Sequence, residues 1–221
     1  MRPLIARLRN LQYVLVVAAA FVLLFSFWSR STRDSSVRTL SPSESQAVQS
    51  RPQRPLALPG EYRDTVILFL DYHCPYCAAL YPDLVRARSA YGVDVRHVVA
   101  GPNSVIAEAA IAAECARQQG RFHPYSYALF GKRDSIGALP WEAYGIAAGV
   151  PDLATLTSCV ERRLPLAWIE WDTKLVRDIG LKATPTVVYG GRIYTGPLSI
   201  AALMGTLKGS APVSDQVGRN R

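Results

Sequence analysis

The sequence predicts an α/β fold in which a block of helices is inserted between strands, preceded by a single N-terminal transmembrane helix. Three observations predict it. Short apolar runs of strand length, "TVILFLD" and "TPTVVY", stand far apart in the chain. The stretch between them reads mostly at helical period. The N-terminus carries one long uncharged apolar run.

That run, "LQYVLVVAAAFVLLFSFW" (11–28), sits inside a charge-free segment from Asn10 to Ser29. About 20 apolar residues suffice to cross a bilayer as a helix. A secretory signal core is shorter, roughly 7–15 residues, and ends in a small-x-small site. The ending "FSFWSRS" offers no such site, which favours an anchor over a cleaved signal. Arg2, Arg7 and Arg9 precede the run, and Arg30, Arg33 and Arg38 follow it. The side-chain bias is therefore weak, and the amino terminus tips residues 1–10 toward the cytoplasm. Residues 29–60 are rich in Ser, Pro and Arg and read as a flexible tether. Residues 210–221 read as a disordered tail.

The formal net charge of +8 is concentrated at the N-terminal end. Residues 1–60 carry eight Arg against two acids, giving +6, whereas residues 61–208 carry fifteen Lys or Arg against fourteen acids, giving +1. A nucleic-acid function needs its basic stripe on the folded body. The nearly neutral body excludes that class.

The body, residues 61–209, opens on "TVILFLD" (65–71), an apolar run fit for a strand buried on both faces. "AALYPDLVRARSAYG" follows as a helix kinked at Pro82. "VDVRHVVA" (93–100) reads as a second strand. A helical insertion spans about 103–180, with helices expected at 104–119, around 125–130, and at 141–148, 153–163 and 166–179. Pro165 suits the first turn of the last of these and Gly180 its end. "TPTVVY" and "RIYT" form a hairpin across Gly190-Gly191, and "LSIAALMGTLK" closes the body as a helix.

The chemistry concentrates in "DYHCPYCAAL" (71–80), where Cys74 and Cys77 stand three apart with Pro75 and Tyr76 between them. A permanent staple is a poor reading, because so short a loop gains little chain entropy. A thiol attacks only as thiolate. Cys74 falls where a helix begins, under unpaired N–H groups and the positive end of the macrodipole. Cys77, one turn further in, is suited to resolve a mixed disulfide.

A strand delivering Cys-Pro-Tyr-Cys to a helix N-terminus, with "ATPTVVYGGRIYTG" downstream, resembles the thioredoxin superfamily. The helical insertion makes it most similar to DsbA-type thiol-disulfide oxidoreductases. Pro82, five residues after the second cysteine, and "CARQQGRFHPYSYALF" support the resemblance, which covers about 65–208. It implies a thiol-disulfide oxidoreductase acting on exported proteins, without a cofactor or metal. Cys74 is then the nucleophile, and Thr184 with a cis Pro185 offers its backbone to the substrate. It also implies protein thiol or disulfide substrates and a membrane redox partner, with the folded domain on the outer, extracytoplasmic side. The direction of transfer stays open between oxidase or isomerase and reductase.

His73 and Asp71 are candidates for tuning the thiolate, each balanced by an ordinary loop role. Relatives often bury an acid six residues before the first cysteine, where this chain has Leu68. His97 and His123 read as structural. Cys115 and Cys159 have two readings, a disulfide clamping the helical block or two buried reduced thiols. Two other function classes are a Cu(I) or zinc chaperone working through Cys74 and Cys77, and a non-catalytic peptide-binding module.

Overall fold

The sheet is built around β2 (Thr65–Leu70), whose residues 66–70 are all at most 3% exposed. This is the continuous apolar run that a strand covered on both faces requires. The computed structural model of the chain describes residues 36–50, 65–86, 92–97 and 105–197. Its elements begin with β1 (Ser36–Thr39) and α1 (Pro42–Gln49) and continue with β2, α2 (Pro75–Arg86) and β3 (Gly92–His97). The helical insertion is α3 (Val105–Arg117), α4 (Phe122–Gly131), α5 (Trp141–Ala147), α6 (Leu153–Glu161) and α7 (Leu166–Asp178). The hairpin β4 (Thr186–Tyr189) and β5 (Arg192–Thr195) follows. The strand order is β1-β5-β4-β2-β3, with only the β2–β3 pair parallel among these strands.

Period-two alternation splits β2 between two cores. Val66, Leu68 and Leu70 face Leu80, Tyr81 and Leu84 of α2 and the helical block, together with Val187 and Tyr194 of the hairpin. Ile67 and Phe69 face Leu175 and Ile179, at the end of α7, with Val188 and Ile193. Within the block, α3 is rich in alanine, and residues 109–116 are all buried. Small side chains let neighbouring helices approach it closely. Gly145 on α5 serves the same end, since a Cβ there would lie 2.7 Å from Leu156 Cδ2 and 2.8 Å from Leu153 Cδ2. Cys115 of α3 and Cys159 of α6 are joined in a disulfide, with Cα atoms 5.9 Å apart. The closed loop of 44 residues removes about 4 kcal/mol of unfolded-state entropy in the loop-closure account.

The sequence reading of 29–60 as a flexible tether is corrected for residues 36–50. β1 pairs antiparallel with β5, from Ser36 opposite Thr195 to Thr39 opposite Arg192. Backbone pairing asks nothing of side chains, so the polar "SVRT" can supply it. Ser41 and Glu44 close a capping box on α1, with Pro42 in the first turn. Arg38 clamps the segment with two bonds to Glu44, at 2.9 and 2.7 Å, and a third at 2.8 Å to the Ile179 carbonyl. Leu40, Ala47 and Val48 pack on the Ile67–Phe69 core. Deleting residues 1–50 is therefore expected to lower unfolding stability by about 2 kcal/mol in urea titration, the scale of a charge-assisted fork and a few backbone bonds.

The predicted anchor (11–28), the rest of the tether, the closing helix and the tail lie outside the described residues. Among the described residues, no helix is long and apolar enough to cross a membrane. Helix α2 begins at Pro75, directly after Cys74, where the sequence places the helix start. Helix α4 begins at Phe122 and not Tyr125, because Pro124 falls in the first turn, where its missing N–H leaves no gap.

Candidate active site

Asp71 ends the buried strand, and a tight turn follows. Its carboxylate accepts the His73 backbone N–H at 2.8 Å, and its carbonyl accepts the Cys74 N–H at 3.1 Å. The turn sets Cys74 at the mouth of α2, where its carbonyl takes the first helical bond from the Ala78 N–H at 3.1 Å. Pro75 opens the helix, where its absent N–H is not needed. The N–H groups of Tyr76 and Cys77 then have no helical partner, and both favour the Cys74 thiolate.

Both cysteines are unbonded to other sulfurs in this structure, Cys74 half-buried and Cys77 buried. The hydrogen bond from the Cys77 thiol, with the Thr184 hydroxyl and the two helix N–H groups, holds Cys74 down at about 5 against the opposing cost of burial. Donating that bond, together with burial, pushes the Cys77 thiol far above the ordinary cysteine range. One cysteine is thereby an anion near neutral pH and its neighbour a proton donor to it.

The third part of the site comes from the loop leading into β4, whose Thr186 pairs with Phe69 at the same end of the sheet. The Thr184–Pro185 bond is cis, and the Thr184 carbonyl accepts a hydrogen bond from the Cys74 thiol at 3.2 Å. Thr186 ties this loop through its hydroxyl to the Ala183 carbonyl at 2.7 Å, and the Gly196 N–H bonds the Pro185 carbonyl at 3.0 Å. Residues 74, 77, 184 and 185 are therefore together. Tyr76 stands beside them, 47% exposed.

The remaining candidates are less directly placed. The Asp71 carboxylate is engaged as a turn clasp, and the His73 side chain is exposed. His97 sits on β3, away from the turn in sequence. Leu68 is core. His123 is bound to Tyr81, whose hydroxyl lies 2.7 Å from its Nδ1. The role of the Thr184 hydroxyl was missed, since a motif read for its backbone gives no reason to look at its side chain.

Residues 61–209 match the family model described as Thioredoxin. This chain belongs to the thioredoxin family. Within it, the inserted helical block makes the fold DsbA-like. DsbA2 of Pseudomonas aeruginosa is 24% identical at a TM-score of 0.54, covering 70% of this chain and 96% of that one. The thiol-disulfide exchange protein alpha-DsbA2 of Wolbachia pipientis is 18% identical at 0.56, covering 67% and 82%. BdbD of Bacillus subtilis is 21% identical at 0.54, covering 67% and 87%. Among curated proteins, the Na(+)/H(+) antiporter NhaA 1 of Mycolicibacterium gilvum is 28% identical over 185 residues, 78% of this chain. The chain spans about a quarter of that relative's length, 27%.

Proposed function

We propose that this thioredoxin-family chain transfers disulfides to exported proteins through Cys74 and Cys77. The observation that carries the reading is the place of Cys74 at the mouth of α2, where the Cys77 thiol, the Thr184 side chain and the helix N–H groups hold its thiol down at about 5. Each of them favours the thiolate, and the thiolate exists only in the reduced enzyme. Stabilising the reduced form makes the disulfide form a stronger oxidant.

In that direction a substrate thiolate attacks Cys74 Sγ of the enzyme disulfide. The Cys74–Cys77 bond breaks, and Cys77 leaves and takes a proton. A second substrate thiolate attacks the substrate sulfur of the mixed disulfide, and Cys74 departs as an anion. The substrate has lost two electrons and the enzyme has gained them. A leaving group of low pKa departs faster, so Cys74 suits the last step. The Thr184–Pro185 loop lines the side from which a peptide would approach, and Thr184 offers it backbone hydrogen bonds. The same residues run the reverse reaction if a reductant feeds them.

Residues 11–28 act as an anchor with the folded body on the outer side, and a membrane partner re-oxidises the pair. The likeness to part of a sodium–proton antiporter supports a membrane setting. Equilibrating the full chain with glutathione buffers tests the reading. A reduction potential of about −120 to −180 mV is expected. A value near about −270 mV would make the chain a reductase, and the absence of any reversible couple would overturn the oxidoreductase reading.

A further inference from the structure

Thr186 is the first residue of β4 and is fully buried. Its neighbours along the strand, Val187 and Val188, are the residue type that a buried strand ordinarily holds. Valine has the shape of threonine without the hydroxyl, and a buried hydroxyl is costly unless bonded. Here it is bonded to the loop that precedes the strand. Thr186 Oγ1 donates to the Ala183 carbonyl at 2.7 Å. Thr195 Oγ1 of β5, its register partner, lies 3.3 Å from the same atom. One residue further on, the Gly196 N–H holds the Pro185 carbonyl at 3.0 Å. Gly196 has a φ of 102°, a conformation that glycine adopts without steric cost. The end of the hairpin therefore grips the cis-proline loop on both sides of Thr184.

Period-two alternation puts Thr186 on the face of the sheet that carries Val188 and packs on α7, whereas Cys74 packs on the opposite face with α2. The hydroxyl thus acts on the loop from the side away from the cysteines. It acts through the peptide between Ala183 and Thr184. That unit is trans and planar, so its carbonyl and its N–H point in opposite directions. Holding the Ala183 carbonyl toward Thr186 turns the Thr184 N–H the other way, toward the side of Cys74. The Thr184 carbonyl is on that side already, accepting from the Cys74 thiol at 3.2 Å. Thr184 therefore presents a donor and an acceptor beside the reactive sulfur, the two groups that an extended chain needs for strand-like pairing.

We propose that Thr186 is a positioning residue for the substrate: by fixing the Ala183–Thr184 peptide, its hydroxyl presets the Thr184 N–H for the backbone of an extended polypeptide and so favours protein thiols over small ones. The proposal rests on the thiol-disulfide reading above. A loop free to turn would lose that freedom when a substrate arrives, whereas a loop fixed beforehand binds without that cost. A thiol that carries no peptide backbone has no use for the N–H, so the hydroxyl contributes nothing to its binding.

The test is single turnover of the oxidised full chain with a reduced peptide carrying two cysteines, beside dithiothreitol, which has no peptide group. Either dithiol attacks Cys74 Sγ, the Cys74–Cys77 bond breaks, and the dithiol closes to its own disulfide. The dithiol gives up two electrons and two protons. Cys77 keeps one proton, the other goes to solvent, and Cys74 leaves as thiolate. Thr186→Val keeps the shape and removes the hydroxyl, and Thr186→Ser keeps the hydroxyl. The valine variant is expected to lower the preference for peptide over dithiothreitol about fivefold, the scale of one hydrogen bond. The loss falls on the half-saturating peptide concentration and not on the limiting rate, and serine restores the native preference. A valine variant with the native preference overturns the proposal, whether both dithiols keep their rates or both slow together, since the threonine then supports the cysteine pair or the fold. A native chain that oxidises neither dithiol overturns the oxidoreductase reading as well.

Discussion

Serine in place of Cys74 is expected to abolish disulfide transfer, whereas alanine in place of Cys77 leaves a protein that accumulates mixed disulfides with its substrates. The two changes remove different halves of one exchange. Without Cys74 no sulfur is activated, since Cys77 is buried, and burial alone disfavours its thiolate. Without Cys77 no enzyme disulfide can form, but the Cys74 thiolate still attacks substrate disulfides, and no neighbouring thiol is left to resolve the mixed disulfide. The same alanine has a second effect. The bond from Cys77 is the largest contribution to the lowered Cys74 pKa of about 5, so its loss moves the thiolate titration upward. The remaining donors, Thr184 and the helix N–H groups, hold it below the ordinary value of about 8.5. Thiolate ultraviolet absorbance of the reduced chain checks this, and an unmoved midpoint would count against the arrangement. A non-catalytic peptide-binding module would keep its activity through both substitutions.

The lowered pKa also fixes the sign of a stability effect. A group whose folded pKa is depressed contributes stability that is complete above its unfolded pKa and is lost as pH falls through the folded one. For Cys74 the window runs from about 8.5 down to about 5. The reduced form therefore loses stability relative to the oxidised form as pH is lowered through that interval.

The site was legible where its parts are local. Cys74, Pro75 and Cys77 lie on consecutive positions of one turn, and helix geometry alone says which sulfur meets the free N–H groups. Thr184 and Pro185 came from the family resemblance, because no local rule carries a loop across more than a hundred residues to a cysteine. The Tyr72–Ser126 and Tyr81–His123 bonds were not legible at all. Their members come from a loop and two helices, and each alone has an ordinary reading as core or surface. His123 read as structural because a lone histidine in a helical stretch gives no sign of the tyrosine it will meet.

The fold shows the same division. β2 announced itself by five successive apolar residues. β1 did not, because an edge strand of four exposed residues, three of them polar, has no period to read, and its partner β5 lies at the far end of the chain. The adjoining helix α1 did leave a signal, Ser41 followed by Glu44 with Pro42 between them, a capping box inside a stretch otherwise rich in breakers. Composition outweighed that local chemistry, and the segment was read as tether.

Asp172→Leu is expected to destabilise the domain by about 3–5 kcal/mol, the cost of leaving one member of a buried ion pair behind. Asp172 and Arg96 are 0% and 1% exposed, with Oδ1 3.1 Å from Nη1. Arg96 lies on the parallel edge strand opposite Phe69, and Trp171 of α7 covers it at 5.3 Å. The pair joins the last helix of the insertion to β3, on the side of the sheet away from the cysteines. Charges this deep are a poor source of net stability, since burying both costs about as much as their attraction returns. Their effect is asymmetric: one alone is far worse than neither. The double replacement Arg96→Met with Asp172→Leu should therefore recover most of the loss, and chemical denaturation of the native, single and double variants measures it. If the double variant is no more stable than the single one, the damage lies in lost packing against Trp171 and not in the broken ion pair.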